Sequence, residues 1–324
     1  MFRIDRNLTA DDLDKALRED VAEGLTASPK RLPPKWFYDE HGSALFEDIT
    51  ALPEYYPTRA ERSILAERSD EIADAADAEV LIELGSGSGV KTRLLLDAML
   101  RHGRITGFVP VDVSGDFLAA SAAELAGDYP GLDVHAVVGD FEEHLGLLPA
   151  ARDGGRRLLA VLGSTIGNQE PRARAAFLRD VRGVLDAGDS LLLGTDLVKD
   201  PARLVAAYDD AQGVTAAFNR NVLRVINHRL GADFDPAAFD HVALWDAERE
   251  WIEMRLRART AQRVRVADLG LSVGFAEGEE MRTEISAKFR REGLGTELEG
   301  AGFAPARWWT DPADDFALVL ATAR

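Results

Sequence analysis

Glu83-x-Gly85-x-Gly87-x-Gly89 sets an acid and three glycines at a spacing that could hold a small polar ligand. It lies between an apolar run at 80–84 and apolar residues at helical spacing from Val90 to Met99, which spells strand, turn and helix. Three glycines let the backbone turn sharply and leave bare amides in reach of a ligand, and the following helix start adds unpaired N–H groups. A dinucleotide pyrophosphate would want G-x-G-x-x-G, and Val90 occupies the third glycine position. The plain alternative is a turn that only packs helix against sheet.

The same loop resembles the E/D-x-G-x-G-x-G first motif of Rossmann-like methyltransferases that bind S-adenosylmethionine. That cofactor carries no phosphate, so an acidic residue beside the loop is tolerated, and in those enzymes it helps to hold the amino acid end. Polar residues recur at the ends of later apolar runs. Asp112, in Pro110-Val-Asp-Val113, can accept hydrogen bonds from both hydroxyls of a ribose. Asp140 and Phe141 offer an acid and an aromatic face suited to an adenine amine and ring. Each acid could equally cap a helix. Leu162-Gly-Ser-Thr-Ile-Gly-Asn168 pairs small residues with Asn168, a donor and acceptor for a methyl acceptor, or is simply a turn.

Positioning such a set takes an alternation of strands and helices. Apolar runs predict strands at 80–84, 106–112, 133–138, 157–163 and 190–195, separated by helices near 90–101, 114–126, 141–147 and 171–185. That rhythm implies βαβ units and a parallel sheet with helices on both faces, an α/β class with ligands at the carboxyl ends of the strands. Ahead of it, helices are expected at 9–24 with Thr9 as N-cap, at 43–49 and at 59–75, with an ordered Pro- and aromatic-rich loop at 28–39. Residues 197–230 are predicted helical. Alternating stretches at 252–257, 263–266 and 284–289 predict half-exposed antiparallel strands, and 303–309 and 316–321 two closing strands. The expected division is a cofactor domain at 61–196 and 289–324 and a second, α+β domain at 1–60 and 197–288.

Composition narrows the chemistry. A chain of 324 residues, 46% hydrophobic and 29% charged, is that of an ordinary globular protein. With no cysteine there is no disulfide, thiolate nucleophile or Cys-ligated zinc. The six histidines, His41, His102, His135, His144, His228 and His241, include no i, i+4 pair, so no metal is expected. A net charge of −18 disfavours nucleic acid and favours a small-molecule substrate, unless it serves only solubility. No apolar run is long enough to span a membrane and the N-terminus lacks a signal-peptide core, so a cytoplasmic protein is expected. The absence of a long exposed apolar edge makes a monomer the default.

Beyond the glycine loop, Leu32-Pro-Pro-Lys-Trp-Phe-Tyr-Asp39, Gly42-Ser-x-Leu-Phe46, Leu52-Pro-Glu-Tyr-Tyr-Pro-Thr-Arg59, Gly139-Asp-Phe141, Leu162-Gly-Ser-Thr-Ile-Gly-Asn168 and Gly278-Glu-Glu-Met-Arg-Thr-Glu-Ile-Ser286 together resemble the histidine Nα-methyltransferases of ergothioneine biosynthesis, nearly end to end. The resemblance implies that three methyl groups pass from S-adenosylmethionine to the α-amine of L-histidine, giving hercynine. It implies that Tyr38, Gly85, Gly87, Lys91, Asp112, Asp140 and Phe141 contact the cofactor, and that Tyr55, Asn168, Tyr208, Glu284 and Ser286 hold histidine, with Asn168 and Tyr38 nearest the chemistry. Ser88-Gly-Val90 departs from the family pattern, while Lys91-Thr92 keeps it.

The residue types suit that chemistry. Displacement at a sulfonium needs alignment, desolvation and a neutral amine, not a covalent nucleophile or a metal. Glu284 and Ser286, two apart on a strand, share a face and could bracket an imidazole, or be a surface pair. Tyr55 and Tyr208 could bind carboxylate and amine or simply pack. The same fold acting on another amino acid, decided around Tyr208, Met254 and Glu284, is the runner-up, and a catalytically silent binding protein is a third reading.

Overall fold

The computed structural model describes residues 1–87, 89–140, 143–149 and 155–324. β1 (Phe2–Arg6) leads into α1 (Ala10–Thr26), which starts at a reciprocal cap: the Asp12 N–H donates to Thr9 Oγ1 and the Thr9 N–H to Asp12 Oδ2. Next come α2 (Glu40–Ala51), capped by Asp39, and α3 (Pro57–Ala76). The alternation then runs β2 (Val80–Leu84), α4 (Thr92–Arg101), β3 (Gly107–Asp112), α5 (Gly115–Asp128), β4 (Asp133–Val138), β5 (Arg157–Val161), α6 (Pro171–Val184) and β6 (Ser190–Asp196). After α7 (Pro201–Tyr208) and α8 (Val214–Leu230) come β7 (Phe239–Asp246), β8 (Trp251–Ala258), β9 (Gln262–Val266), β10 (Leu271–Phe275) and β11 (Glu280–Ala287). The chain closes with α9 (Arg291–Gly300), β12 (Phe303–Thr310) and β13 (Phe316–Ala323).

The chain divides into two compact units. The first comprises Met1–Leu8, Pro57–Val198 and Lys288–Arg324 and holds an eight-stranded sheet in the order β1-β4-β3-β2-β5-β6-β13-β12. The strands from β1 to β6 are parallel, and β13 runs antiparallel to both β6 and β12. Nearly every residue of β2–β6 is buried, as parallel strands must be when both faces are covered. Ile64, Leu81, Leu95, Phe108, Leu158 and Leu318 belong to one continuous core. Strand order reverses between β3-β2 and β5-β6, so the loop after β2 opens at the switch point where such sheets bind ligands.

The second unit comprises Thr9–Tyr56 and Lys199–Ala287. It is built on an antiparallel sheet β11-β8-β7 and a β9-β10 hairpin, with Leu17, Val21, Phe218, Val222, Phe239 and Leu256 in its core. The alternating stretches do form antiparallel strands, but only 263–266 is half-exposed as expected; 252–257 and 284–289 are largely buried, Glu253 and Ser286 included, because both faces of that sheet are covered.

Several expectations need correction. Residues 1–8 stand with the sheet and not with the second unit, because β1 adds in parallel to β4 from Phe2 opposite Val134 to Arg6 opposite Val138. Residues 57–60 go with the first unit as the start of α3, 197–198 as the continuation of β6, and 288 through the ion pair of Lys288 with Asp196. In place of a helix over 141–147, the described part is a single 3-10 turn at Leu145–Leu147. β1, β7, β10 and α9 had no counterpart in the expected elements.

Candidate active site

The glycine loop is tied to the end of β3. The Gly85 N–H donates to the Val111 carbonyl at 2.8 Å, and the Gly87 N–H to Asp112 Oδ2 at 3.3 Å. Asp112 Oδ1 accepts from the Ser114 N–H at 2.9 Å, so each carboxylate oxygen keeps a lone pair for another donor. Gly85 and Gly87 have φ of 72° and 51°, left-handed values that favour glycine, and the space where a Cβ would sit is open at both. Glu83, 3% exposed, accepts from Ser86 Oγ at 3.1 Å and Thr92 Oγ1 at 2.5 Å, fastening the loop to the start of α4. Burial pushes its carboxyl up to about 7 against those bonds and the nearby Lys91 charge. The Gly139 N–H reaches the Asp112 carbonyl at 3.0 Å, setting Asp140 at the neighbouring strand end. Phe141 and Ser88 lie outside the described residues. The loop amides of Gly85, Ser86, Gly87 and Gly89 are thus spent within the protein, contrary to the expectation of bare amides, and what the turn offers a ligand is the Asp112 carboxylate with spare acceptor capacity beside open space.

Lys91, expected at the cofactor, is held by an ion pair from α3. Its ammonium pairs with Glu61, a fully buried carboxylate on α3, whose Oε1 accepts from the Gly163 N–H at 2.8 Å. Beyond β5 the chain turns through Gly163 and Ser164, the latter left-handed at φ 60°, into the 3-10 turn Thr165–Asn168. Ser164 Oγ accepts the Asp196 N–H at 3.0 Å, locking this turn to β6. Asn168 ends the turn half-buried. Asp196 pairs in turn with Lys288 at 2.9 Å, both buried.

In the second unit Pro33-Pro34 starts a 3-10 turn over Pro34–Phe37 that buries Trp36 and Phe37 and leaves Tyr38 37% exposed. Asn221 Nδ2 donates to the Phe37 carbonyl at 3.1 Å and to Asp39 Oδ1 at 2.7 Å. Gly42 is required there, since a Cβ would come within 1.7 Å of the Phe37 oxygen. Edge-on ring contacts then run Tyr38–Phe46 (5.6 Å), Phe46–Tyr55 (6.3 Å) and Tyr55–Tyr208 (6.3 Å). Tyr208 donates its hydroxyl to Ser286 Oγ at 2.8 Å. β11 carries a bulge between Arg282 and Glu284; past it, Glu284 stands opposite Met254 and Ser286 opposite Ile252 on β8. Tyr38, Tyr55, Tyr208, Met254, Glu284 and Ser286 therefore fall in one aromatic-rich neighbourhood of this unit.

A family model described as "Histidine-specific methyltransferase, SAM-dependent" matches residues 17–323. The chain belongs to that family. This methyltransferase is 60% identical over 314 residues, 97% of either chain, to the histidine N-alpha-methyltransferase of Mycolicibacterium smegmatis. It is 59% identical over 306 residues, 94% of either chain, to that of Mycobacterium tuberculosis. A protein of Claviceps purpurea named 4-dimethylallyltryptophan N-methyltransferase is 30% identical over 62% of this chain and 61% of its own. Among solved structures, an S-adenosylmethionine-dependent methyltransferase from Clostridium acetobutylicum aligns with a TM-score of 0.45 at 10% identity, over 81% of this chain and 91% of its own.

Sequence reasoning about the methyltransferase missed Glu61, Ser164, Asn219, His241 and Thr283. Two of them carried a signal. Glu61 is a carboxylate in the apolar stripe of α3 with Ile64 and Leu65, and Asn219 interrupts the stripe of α8 between Thr215 and Val222. Polar groups in such positions are paired, and their partners come from other elements. Among the described residues no group of three His, Cys, Asp or Glu side chains is placed to hold a metal, and no helix is long and apolar enough to cross a membrane.

Proposed function

We propose that the protein transfers three methyl groups in turn from S-adenosylmethionine to the α-amine of L-histidine, giving hercynine, as a step of ergothioneine biosynthesis. The observation that carries this reading is the Tyr208–Ser286 hydrogen bond on β11 beside Glu284, because a carboxylate and a hydroxyl two apart on one face suit the two ring nitrogens of an imidazole. Glu284 would accept from one and Ser286 answer the other, with Met254 beside them. Tyr55 and Tyr208 would take the carboxylate and amine, and Asn168 would orient the amine through its donor and acceptor. The second unit is the proposed histidine-binding domain, and the sheet unit the donor-binding one.

In the sheet unit Asp112 would accept from the ribose hydroxyls, Asp140 and Phe141 address the adenine, and Gly85 and Gly87 allow close approach. Lys91, held on Glu61, and Tyr38 complete the cofactor contacts. The cofactor supplies a methyl group activated by its sulfonium and a neutral thioether leaving group, so no metal is needed. The protein's part is to align a neutral amine in line with that carbon and to exclude water. A tyrosine hydroxyl or a water takes each proton. Ring faces and amide oxygens accommodate the bulkier, finally cationic nitrogen of later rounds.

We take the working form to be a cytoplasmic monomer without nucleic acid or membrane partners, in keeping with a net charge of −18. The runner-up is the same transfer to another amino acid, favoured by the Claviceps relative, whose name gives a tryptophan derivative as acceptor. Glu284 discriminates, since an imidazole can donate to it and a hydrocarbon side chain cannot. A silent binding protein fits poorly with the retained Asp112, Asp140 and Asn168. Mass spectrometry of the purified protein with S-adenosylmethionine and an equimolar amino acid mixture tests all three. Trimethylated histidine is expected; methylation of another amino acid would leave the donor site standing and remove the histidine assignment.

A further inference from the structure

Asn219 and His241 form a buried polar pair that no step of the reaction requires, and its connections converge on the strand that carries Glu284 and Ser286. Asn219, fully buried on α8, has Nδ2 at 2.8 Å from His241 Nδ1 and donates from the same nitrogen to the Arg255 carbonyl at 3.0 Å. Its Oδ1 accepts from Thr283 Oγ1 at 2.6 Å, a hydroxyl that also lies 3.0 Å from the Met254 carbonyl. Thr283 sits at the β11 bulge, immediately before Glu284. On the other side, His241 Nε2 lies 2.8 Å from the Tyr208 carbonyl.

These contacts admit one set of protonation states. A carbonyl can only accept, so His241 Nε2 carries the proton; the Asn219 amide nitrogen can only donate, so His241 Nδ1 is bare. The imidazole is therefore neutral, and its bare nitrogen, together with the Arg255 carbonyl, fixes which way the Asn219 amide points. That choice directs Asn219 Oδ1 at the bulge. We propose that the Asn219–His241 pair is a positioning device for histidine binding, in which neutral His241 orients Asn219 so that Thr283 holds the bulge and aims Glu284 and Ser286. The inference rests on the reading that those two residues bind the substrate imidazole.

Protonating His241 would set two donors face to face. Turning the amide over would relieve this, but it sets Oδ1 against the Arg255 carbonyl and the NH2 against Thr283 Oγ1, whose proton would then pass to the Met254 carbonyl. The surroundings resist the charge. Burial holds the His241 imidazole below its ordinary range, although the Tyr208 carbonyl and, from the end of α7, Asp209 (Oδ1 at 3.9 Å) and Asp210 favour protonation; Arg220 on α8 opposes it. On β8, Arg255 is committed to Glu253 and Glu280. The device is thus set at neutral pH and released in acid.

The test compares wild type with His241→Asn, which can still accept from Asn219 and cannot titrate, and with His241→Phe, which cannot accept. Histidine and cofactor binding are measured by calorimetry between pH 5 and 8, and the imidazole by ¹⁵N NMR. His241→Phe is expected to weaken histidine binding about tenfold at all pH values with cofactor affinity unchanged. His241→Asn is expected to lose part of the acid decline in histidine affinity; the substrate's own imidazole titrates equally in every variant and cancels from the comparison. In wild type the Glu284 amide resonance should follow the His241 titration. An Nδ1–H tautomer, an unchanged acid limb in His241→Asn, or a Glu284 amide indifferent to His241 would each overturn the proposal. If histidine fails to bind any variant, the substrate reading falls instead, and the NMR coupling still decides whether the pair controls the bulge.

Discussion

The Tyr208 hydroxyl donates to Ser286 Oγ at 2.8 Å, joining the end of α7 to β11 in a buried contact. One bond thus serves two residues assigned to the same substrate. Tyr208→Phe and Ser286→Ala should each raise the KM for histidine about five- to tenfold, the worth of a buried hydrogen bond. The double variant should lose less than the sum of the two, because both changes delete one shared hydrogen bond besides each residue's own substrate contact. Steady-state kinetics on the four proteins gives the coupling directly. Strictly additive losses would mean that the two hydroxyls act separately once substrate is bound.

Asp112→Asn is expected to weaken cofactor binding about 10- to 100-fold while leaving histidine affinity alone. The change removes a charge-assisted acceptor for ribose. It also turns an NH2 toward either the Gly87 or the Ser114 N–H, both of which now donate to the carboxylate, and so loosens the loop. Calorimetry with S-adenosylhomocysteine measures this without turnover. Unchanged affinity would take the ribose away from Asp112.

Glu83 makes the stability of the protein depend on pH. Its folded carboxyl titrates at about 7 because it is buried, above the ordinary 4.5, so the folded state holds a proton that the unfolded state releases first. Stability is then lost as pH rises from about 4.5 to 7, by about 3 kcal/mol from this group alone. Glu83→Gln, which still accepts from Thr92 or Ser86, should flatten that slope in urea unfolding of the ligand-free protein at pH 5, 6, 7 and 8. A slope identical to wild type would show that Glu83 stays ionised throughout.

The parallel sheet was legible because its strands are predominantly apolar runs, and a residue such as Asp112 at the end of one could be placed without knowing its partner. Tyr208, Glu284 and Ser286 were reached by resemblance; alternation fixed only that Glu284 and Ser286 share a face. The contacts that lock them were not legible. Thr283 reads as one more residue of an alternating strand, whereas it sits at a bulge with its hydroxyl on Asn219, 64 positions away. β1 escaped for a similar reason, since five residues carry too short a pattern and their partner β4 begins at Asp133. Local period is written in sequence, whereas the pairing of polar groups across long separations is set by packing.

Glu61 gives the sharpest test of that packing. It is fully buried, it is answered by Lys91 and by the Gly163 N–H, and it sits so close to β6 that a Cβ on Gly194 would come within 2.1 Å of its Oε1. Lys91→Met would leave a buried carboxylate with one amide for company, and should cost about 3–5 kcal/mol in urea unfolding. Adding Glu61→Gln should recover much of it, because the amide oxygen still accepts from Gly163 and no charge remains to be compensated. Gly194→Ala should destabilise by forcing the carboxylate off both partners. The cofactor affinity of the double variant then separates the two roles of Lys91. Near wild-type binding would mean that the ammonium serves chiefly to neutralise Glu61, and a large loss in a restored fold would place it on the cofactor.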